Sequence, residues 1–386
     1  MKKTLIALSL ATLSGAALAD VTLYGQIKAG VEVSNVKVKA AKNGESAELK
    51  SKTATEIADF GSRIGFKGHE SLGNGVNAVW KLEQSASVAG NSAGWATREG
   101  YIGVETQAGT VRAGKIGTQF DNMGQVDAWE SANPVLGLGI FTRTGSKELS
   151  VRYDSPVVAG LSGNVQFTPR DNANADDKYT RKDKTNAAYY AGLNYERSGF
   201  FAQYGFGLKK NNADDFAGKA VSGSAHRLEA GYDAGNLLVA AGYQQTKAWD
   251  NVADYADALS GGNLDRAAQL YGYDDFDDLA AADAEVAAVA GKGLKTREVA
   301  LTAAYRLGNV TPKLSYAHGW DVKFAGGDKV KGTKYDQVLV GADYDLSKRT
   351  TAFAQAGWLR SGGKLADGAK LTVENKAGLV GLRHKF

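Results

Sequence analysis

Apolar and polar side chains alternate with a period of two along almost the whole of this 386-residue chain. In the first such segment Leu23, Ile27 and Val31 share one face, and Tyr24 and Lys28 lie on the other. Successive side chains of a β-strand point to opposite faces, so alternation sustained over about ten residues predicts a strand and is incompatible with a helix. The sequence therefore predicts an all-β protein.

Sixteen segments alternate in this way, and the connections between them alternate between short and long. The predicted strands are 21–34, 56–69, 75–88, 97–106, 109–116, 147–155, 161–168, 185–196, 199–208, 225–233, 236–246, 295–307, 310–320, 334–345, 349–359 and 372–386. The short connections contain Gly, Pro, Asn or Asp and are 70–74, 107–108, 155–160, 197–198, 234–235, 308–309 and 347–348. The long, polar connections are 35–55, 89–96, 117–146, 169–184, 209–224, 247–294, 321–333 and 360–371. This sorting predicts a sixteen-stranded antiparallel transmembrane β-barrel with short periplasmic turns and long outer loops.

The N-terminus predicts export from the cytoplasm. Lys2 and Lys3 precede an apolar stretch over 4–18, and Ala17-Leu18-Ala19 has the form that signal peptidase cleaves. We therefore expect a signal peptide over 1–19 and a barrel over 20–386. Composition alone leaves a soluble β-protein open, but a mean hydropathy of −0.30 also suits a barrel, whose strands alternate lipid-facing and lumen-facing residues.

Composition gives no support for several other functions. Removing the two lysines of the signal peptide lowers the formal charge from +4 to +2, so a nucleic-acid partner has no support. The chain has no cysteine and therefore no disulfide framework.

Aromatic residues lie near strand ends on the apolar face, which is typical of the girdles at a membrane interface. We therefore expect outer-membrane lipid to surround the barrel. These aromatic residues are Trp80, Tyr153, Tyr189, Tyr195, Tyr232, Tyr243, Tyr305, Tyr316, Tyr344 and Phe386.

Five stretches spread along the chain resemble the trimeric porins of Gram-negative bacteria, most closely the neisserial-type porins of β-proteobacteria. The stretches are DVTLYGQIKAGVE (20–32), SRIGFKGHE (62–70), GTVRAGK (109–115), SVRYDSP (150–156) and GLRHKF (381–386). The resemblance implies a sixteen-stranded barrel, a homotrimer and a third outer loop that folds into the lumen. The long, Asp- and Ala-rich loop 247–294 departs from the family and leaves the shape of the outer mouth open.

Residues 117–146 form the third outer loop in that scheme, and we expect them to narrow the channel. The loop carries Asp121, Asp127 and Glu130, and the lumen-facing side of the early strands is basic. Acids opposite bases would set a transverse field across the constriction, as in filters built from rings of charged side chains. Solvated or structurally paired charges are the alternative interpretation. The predicted wall bases are Lys28, Arg63, Lys67, Lys81, Arg98, Arg112 and Arg152.

No residue pattern predicts catalysis, a cofactor or a metal. The four histidines are scattered without a partner spacing, and Gly109-x-x-x-x-Gly114-Lys115 lacks the Ser or Thr and the helix of a phosphate-binding loop. The Asp-rich run 274–278 lacks the glycine and terminal Glu of a calcium loop, and a short helix is expected over 278–290.

We therefore predict a general diffusion porin for small ions and small hydrophilic solutes, with a modest preference for anions. A substrate-specific channel is the first alternative, but Tyr24 and Tyr190 are the only clear lumen-facing aromatic residues and are too few for a sugar path. A barrel enzyme or adhesin is the second. We further expect Phe386 to be the assembly signal, Leu301 to face lipid, and Thr302 to face a lumen in which Arg is tolerated.

Overall fold

The computed structural model describes residues 19–89, 94, 96–131, 133–173, 179–182, 184–260, 288–365 and 368–386, with the backbone alone at Ala19. The predicted signal peptide, the Asp-rich run 274–278 and most of the expected helix 278–290 lie outside these residues. No helix in the described part of the chain is long and apolar enough to cross a membrane.

Antiparallel strands dominate the described structure. They are β1 Ala19–Lys42, β2 Glu45–Lys50, β3 Ala54–Asp59, β4 Arg63–Gly73, β5 Val76–Ser85, β6 Glu99–Thr106, β7 Gly109–Gly117, β8 Lys147–Asp154, β9 Leu161–Thr168, β10 Ala188–Arg197, β11 Phe200–Asp214, β12 Ala220–Ala234, β13 Leu237–Asn251, β14 Gly293–Tyr305, β15 Val310–Gly319, β16 Lys323–Phe324, β17 Tyr335–Asp345, β18 Thr350–Lys364 and β19 Lys370–Lys385. The helices are α1 Gln119–Asn122, α2 Gly139–Thr142, α3 Arg170–Ala173 and α4 Val252–Leu259.

The strands close into a sixteen-stranded barrel, as the sequence predicted. Strands β3 and β4 form one wall strand, because both pair with β1 on either side of an interruption at 60–62. Strands β2 and β16 belong to outer connections and not to the wall. The barrel closes where β1 pairs with β19, in a register that runs from Gln26 opposite Lys385 to Ala41 opposite Lys370.

The predicted faces of the strands are also confirmed. Leu23, Val165 and Leu301 are more than half exposed on the outer surface, whereas Gln166 and Thr302 are buried on the inner side. Most of the predicted girdle lies on the outer surface, where rings with one polar end suit the membrane interface. The exposed girdle residues are Tyr153, Tyr189, Tyr195, Tyr243, Tyr305, Tyr316, Tyr344 and Phe386.

Several outer connections contain more strand than the alternation predicted. Residues 35–55 were expected to be a loop, but β1 continues to Lys42 and pairs with β2 around a turn at Asn43-Gly44. Both turn residues have positive φ, of 51° and 87°, which matches the type I′ turn that an Asn-Gly pair favours in hairpins. Likewise the expected loop 209–224 shrinks to 215–219, because β11 and β12 are longer than predicted.

The third loop, which the structure bounds at 118–146, folds into the lumen. Val126, Leu136, Ile140 and Phe141 in this loop are fully buried. They join one apolar cluster with inward-facing wall residues such as Leu339. The inside of the barrel is therefore partly filled by its own loop, and the functional surface lies where this filling ends.

Candidate pore constriction

The third loop is fastened to one side of the barrel, which we call the covered wall and which comprises β12, β13, β14, β15, β17 and β18. Polar side chains on these strands bind loop backbone. Gln355 Nε2 donates to the Leu136 carbonyl at 2.7 Å, and Gln337 Nε2 donates to the Gly137 carbonyl at 2.8 Å. Thr302 Oγ1 donates to the Val126 carbonyl.

The predicted Thr302 position is therefore lumenal but not open. Its hydroxyl also shares a hydrogen bond of 2.6 Å with Ser315, whose Oγ accepts from Trp129 Nε1 at 2.8 Å. Because the side chain lies beneath the third loop, an arginine would displace the loop instead of entering water. The structure therefore changes the expected effect of an arginine at Thr302 from altered conductance alone to displacement of the third loop.

Glycines on the wall allow the loop backbone to approach closely. A Cβ at Gly357 in β18 would overlap the carbonyl oxygen of Val135, and one at Gly242 in β13 would lie 2.5 Å from the Phe141 ring. Glycine lacks this atom, so it suits sites where another backbone or ring comes near a strand. Part of the unusual glycine content, 48 residues, is thus explained by the seat of the third loop.

The opposite side, comprising β1 and β4 to β8, carries the predicted bases and is called the basic wall. One group surrounds Glu83, whose side chain is only 6 % exposed. Arg98 Nε lies 2.7 Å from Glu83 Oε1, while Arg63 Nε and Lys81 Nζ each lie 3.7 Å from Oε2. Lys67 is exposed beside this group, with its Nζ 5.6 Å from the centre of the Tyr24 ring.

Arg98 belongs to the predicted strand 97–106 but lies just before β6 in the structure, so its backbone does not follow the strand alternation. Its side chain reaches the lumen-facing Glu83 and not the lipid.

A second group of the basic wall is organised by Asp154. Arg112 Nη2 lies 2.5 Å from one carboxylate oxygen, and Arg152 Nη2 lies 2.8 Å from the other. Arg152 is buried and also donates to the Gly117 carbonyl at 2.9 Å, at the start of the third loop. Arg112 additionally stacks 5.0 Å from the ring of Tyr101, a lumen-facing aromatic residue that the sequence analysis missed.

Glu130 connects the third loop with the far end of the basic wall. Its carboxylate lies 3.4 Å from Lys28 Nζ and accepts a hydrogen bond from Arg383. Burial opposes ionisation of this group, but the nearby Lys28, Arg383 and Lys313 outweigh burial and hold the pKa of Glu130 below its usual range. The loop acid is thus charged and shared between two bases.

The other two predicted loop acids have partners other than the seven predicted bases. Asp121 Oδ1 pairs with Lys147 Nζ at 2.7 Å, at the first residue of β8. Asp127 bends back over its own loop, where the amides of Leu138 and Trp129 donate to it. Burial raises the pKa of Asp127 to about 6. Of the three predicted loop acids, Glu130 is thus the one that pairs with a predicted base, Lys28.

Three functional charges were missed by sequence reasoning. Glu99, hydrogen-bonded to Lys81, and Asp154 both fall on the lumenal register of strands that carry predicted bases. Arg383 follows Leu382, which is exposed on the outer face, so two-residue alternation turns Arg383 inward.

Phe386 lies at the seam between β1 and β19. Its amide donates to the Gly25 carbonyl at 3.1 Å, and its carbonyl accepts from the Gly25 amide at 3.1 Å. The ring covers the glycine, where a Cβ would lie 2.6 Å from Cζ. The last residue therefore completes the closure of the barrel.

A family model for Gram-negative porins matches residues 28–386. The chain belongs to the Gram-negative porin family. This porin is 48% identical to the major outer membrane protein P.IB of Neisseria sicca and 43% identical to that of Neisseria lactamica, in each case over the full length of both chains. The resemblance read from the sequence is confirmed.

Solved structures share the fold of this porin at much lower identity. The anion-selective porin from Comamonas acidovorans has a TM-score of 0.61 at 19% identity, covering 95% of this chain and 100% of that one. The trimer form of OmpT from Vibrio cholerae has a TM-score of 0.60 at 13% identity, covering 95% and 99%. This porin accordingly lies in the outer membrane and forms a channel for passive diffusion.

Proposed function

We propose that the channel prefers anions modestly and that its selectivity arises between Glu130 and the basic wall. One observation carries the proposal: three carboxylates along this path are each shared by more than one base. Glu83 lies among Arg63, Lys81 and Arg98, Asp154 lies between Arg112 and Arg152, and Glu130 lies between Lys28 and Arg383.

The local surplus is positive although the chain as a whole is nearly neutral. At physiological salt, charges beyond about 8 Å are largely screened, so the side chains at the narrow path outweigh distant loop charges. A ring of charged side chains then favours the oppositely charged ion. Small hydrophilic solutes without charge also pass, because polar and charged side chains line the path. The description of the Comamonas neighbour as anion-selective agrees with this proposal, which rests on the charges of this chain.

We further infer that the protein works as a homotrimer and not as a catalyst. The porin family and the trimer form among its structural neighbours support the assembly. Channel function in the family and the scattered histidines support the second inference. His226, His318 and His384 have hydroxyl or carboxylate neighbours on the outer face of the barrel, namely Tyr204, Asp336 and Thr350.

The selectivity proposal is tested by the reversal potential of the channel in a planar bilayer under a salt gradient. The wild type is expected to show an anion-selective sign. Replacing Arg63 and Arg112 together with serine removes two of the shared bases and should move the potential toward cations. The matched control replaces Arg306 and Lys348, two exposed bases near the short turns, and should leave the potential near the wild-type value.

Cation selectivity in the wild type, combined with an unchanged potential in the double variant, would contradict the proposal. In that case the arginines are structural partners of Glu83 and Asp154 that lie off the conducting path.

A further inference from the structure

The long connection between β13 and β14 sends a helix into the barrel. Helix α4 begins beside these strands, where the Val252 amide donates to the Lys292 carbonyl at 3.1 Å. Asn251 caps its first turn, because Oδ1 accepts from the Asp254 amide at 2.8 Å. The start of the helix is thus fixed to the top of the wall.

The other end of α4 reaches a distant strand. Asn375 in β19 donates from Nδ2 to the Ser260 carbonyl at 3.1 Å, and Asn375 is buried at 2 % exposure. Four strand-to-strand steps of the sixteen-stranded wall separate β14 from β19, through β15, β17 and β18. The segment 252–260 therefore passes along the inner side of about a quarter of the wall.

The helix has a buried face and a water face. Tyr255 is 2 % exposed and clusters with Leu294 and Val322, and Leu259 packs against the cluster that contains the third loop. Asp254 and Asp257 are exposed, three residues apart and therefore on one side of the helix. This face turns two carboxylates toward water at the outer mouth.

Arg143 joins this helix to the third loop. Its Nη2 lies 2.9 Å from Asp250 Oδ2 and its Nη1 lies 2.6 Å from Glu298 Oε2, while the guanidinium stacks 5.0 Å from the Tyr255 ring. Arg143 and both carboxylates are almost fully shielded from solvent, so removal of any member leaves a buried charge without its partner. The loop and the helix are held as one unit.

We propose that α4 is a second constriction element, which narrows the outer mouth above the third loop and opposes the entry of anions through Asp254 and Asp257. The inference rests on the proposed conducting path only for the sign of this charge effect. The narrowing of the mouth by α4 is measured by conductance and solute exclusion. The α4 proposal can therefore fail while the anion preference of the basic wall stands. Residues 252–260 would then act on permeation directly and not as a distant charged surface.

The size effect is tested by removing the buried face of the helix. Tyr255→Ala combined with Leu259→Ala should release α4 and raise both the single-channel conductance and the largest polyethylene glycol that enters the pore. Assembly is checked by heat-modifiable electrophoresis. Because the chain has no cysteine, Ser260→Cys and Asn375→Cys can be added to this variant and joined by a short bifunctional thiol reagent. Joining should return both values toward wild type, and an assembled release variant with wild-type conductance and exclusion would overturn the proposal.

The charge effect is tested without disturbing the packing. Asp254→Asn with Asp257→Asn should shift the reversal potential further toward anions at unchanged conductance. Glu45→Gln, at an exposed position in β2 of a different outer connection, is the control for a carboxylate lost elsewhere. If the double variant shifts the potential no more than the control does, the carboxylates of α4 lie off the ion path and this part of the proposal fails.

Discussion

The basic wall and the covered wall are built on the same alternation of residues, but the inner face of one lines the path and that of the other binds the third loop. On the basic wall, Arg and Lys surround a smaller number of carboxylates and remain in contact with the water-filled path. On the covered wall, Gln, Ser and Thr bind the backbone of the third loop, and charges occur in buried pairs such as Arg227 with Glu229 at 3.3 Å. A polar residue on the inner register can therefore either line the path or hold the loop that defines it.

The difference shows that the loop selects its side of the barrel by hydrogen-bond complementarity. Side-chain amides such as those of Gln337 and Gln355 can satisfy loop carbonyls, whereas a wall of surplus cations would leave buried charges uncompensated. The open path is thus the part of the lumen where contact with the third loop would bury charges without partners. Four experiments test this comparison from the largest expected effect to the smallest, beginning at the seam where the two sides meet.

Deletion of Phe386 should have the largest effect. The truncation removes two backbone hydrogen bonds with Gly25 and the ring that covers this glycine, in addition to the assembly signal that we propose for the terminal aromatic residue. We expect a strong loss of assembled, heat-modifiable trimer. A normal yield of trimer from the truncated chain would show that closure of the seam does not depend on its last residue.

An arginine at Leu301 should be nearly as damaging. Leu301 is 53 % exposed on the lipid face, where an arginine in the middle of the bilayer costs about 2–4 kcal/mol. Assembly yield and urea unfolding in bilayers measure the loss. A fully assembled, equally stable Leu301→Arg protein would mean that this strand is shifted in register by one residue.

An arginine at the adjacent Thr302 should instead break the covered wall. Overpacking beneath the third loop costs about 1–3 kcal/mol and breaks the bond to the Val126 carbonyl. We expect assembled trimers whose conductance is altered and noisy, because the loop is displaced. Steady, wild-type conductance would argue that the third loop is not held at this point.

The smallest effects come from removing a single polar group on each wall. Gln355→Leu leaves the Leu136 carbonyl without its partner and should destabilise the protein by about 1–3 kcal/mol. Tyr24→Phe removes one bond to Glu83, a carboxylate that keeps its basic partners, and should cost about 1 kcal/mol or less. Urea unfolding compares the two variants, and equal losses would mean that the two walls do not differ in how they use polar groups.

The sequence was sufficient for the parts of this fold that depend on period and register. The number of strands, the lipid-facing set around Leu301 and the inward set around Lys28 follow from two-residue alternation, which tertiary contacts cannot shift without exposing apolar residues to water. The Asn43-Gly44 hairpin was also readable, because that pair favours one turn type.

The details of the site depend on contacts between residues that are distant in sequence, and the two-residue alternation does not predict such contacts. Asp121 and Asp127 share a loop with Glu130, but the path of an irregular backbone decides that Glu130 is the one of the three that pairs with a predicted base. Helix α4 escaped prediction for a related reason, because its inward face is set by Arg143 and Asn375, which are distant in sequence. A charge count by segment could not separate residues that face water from those that tie a loop in place.

The seam between β1 and β19 has a consequence for how the barrel is made. The first and last strands are neighbours, so the contacts that close the cylinder join the two extremes of the polypeptide. Contacts of such long range are slow to form, because the conformational entropy of the intervening chain must be lost before these contacts can contribute a favourable free energy. The cylinder cannot be completed before β19 has been synthesised, since β19 pairs with β1. The finished chain must reach the membrane still open, with the edges of β1 and β19 exposed to partners that could misdirect them.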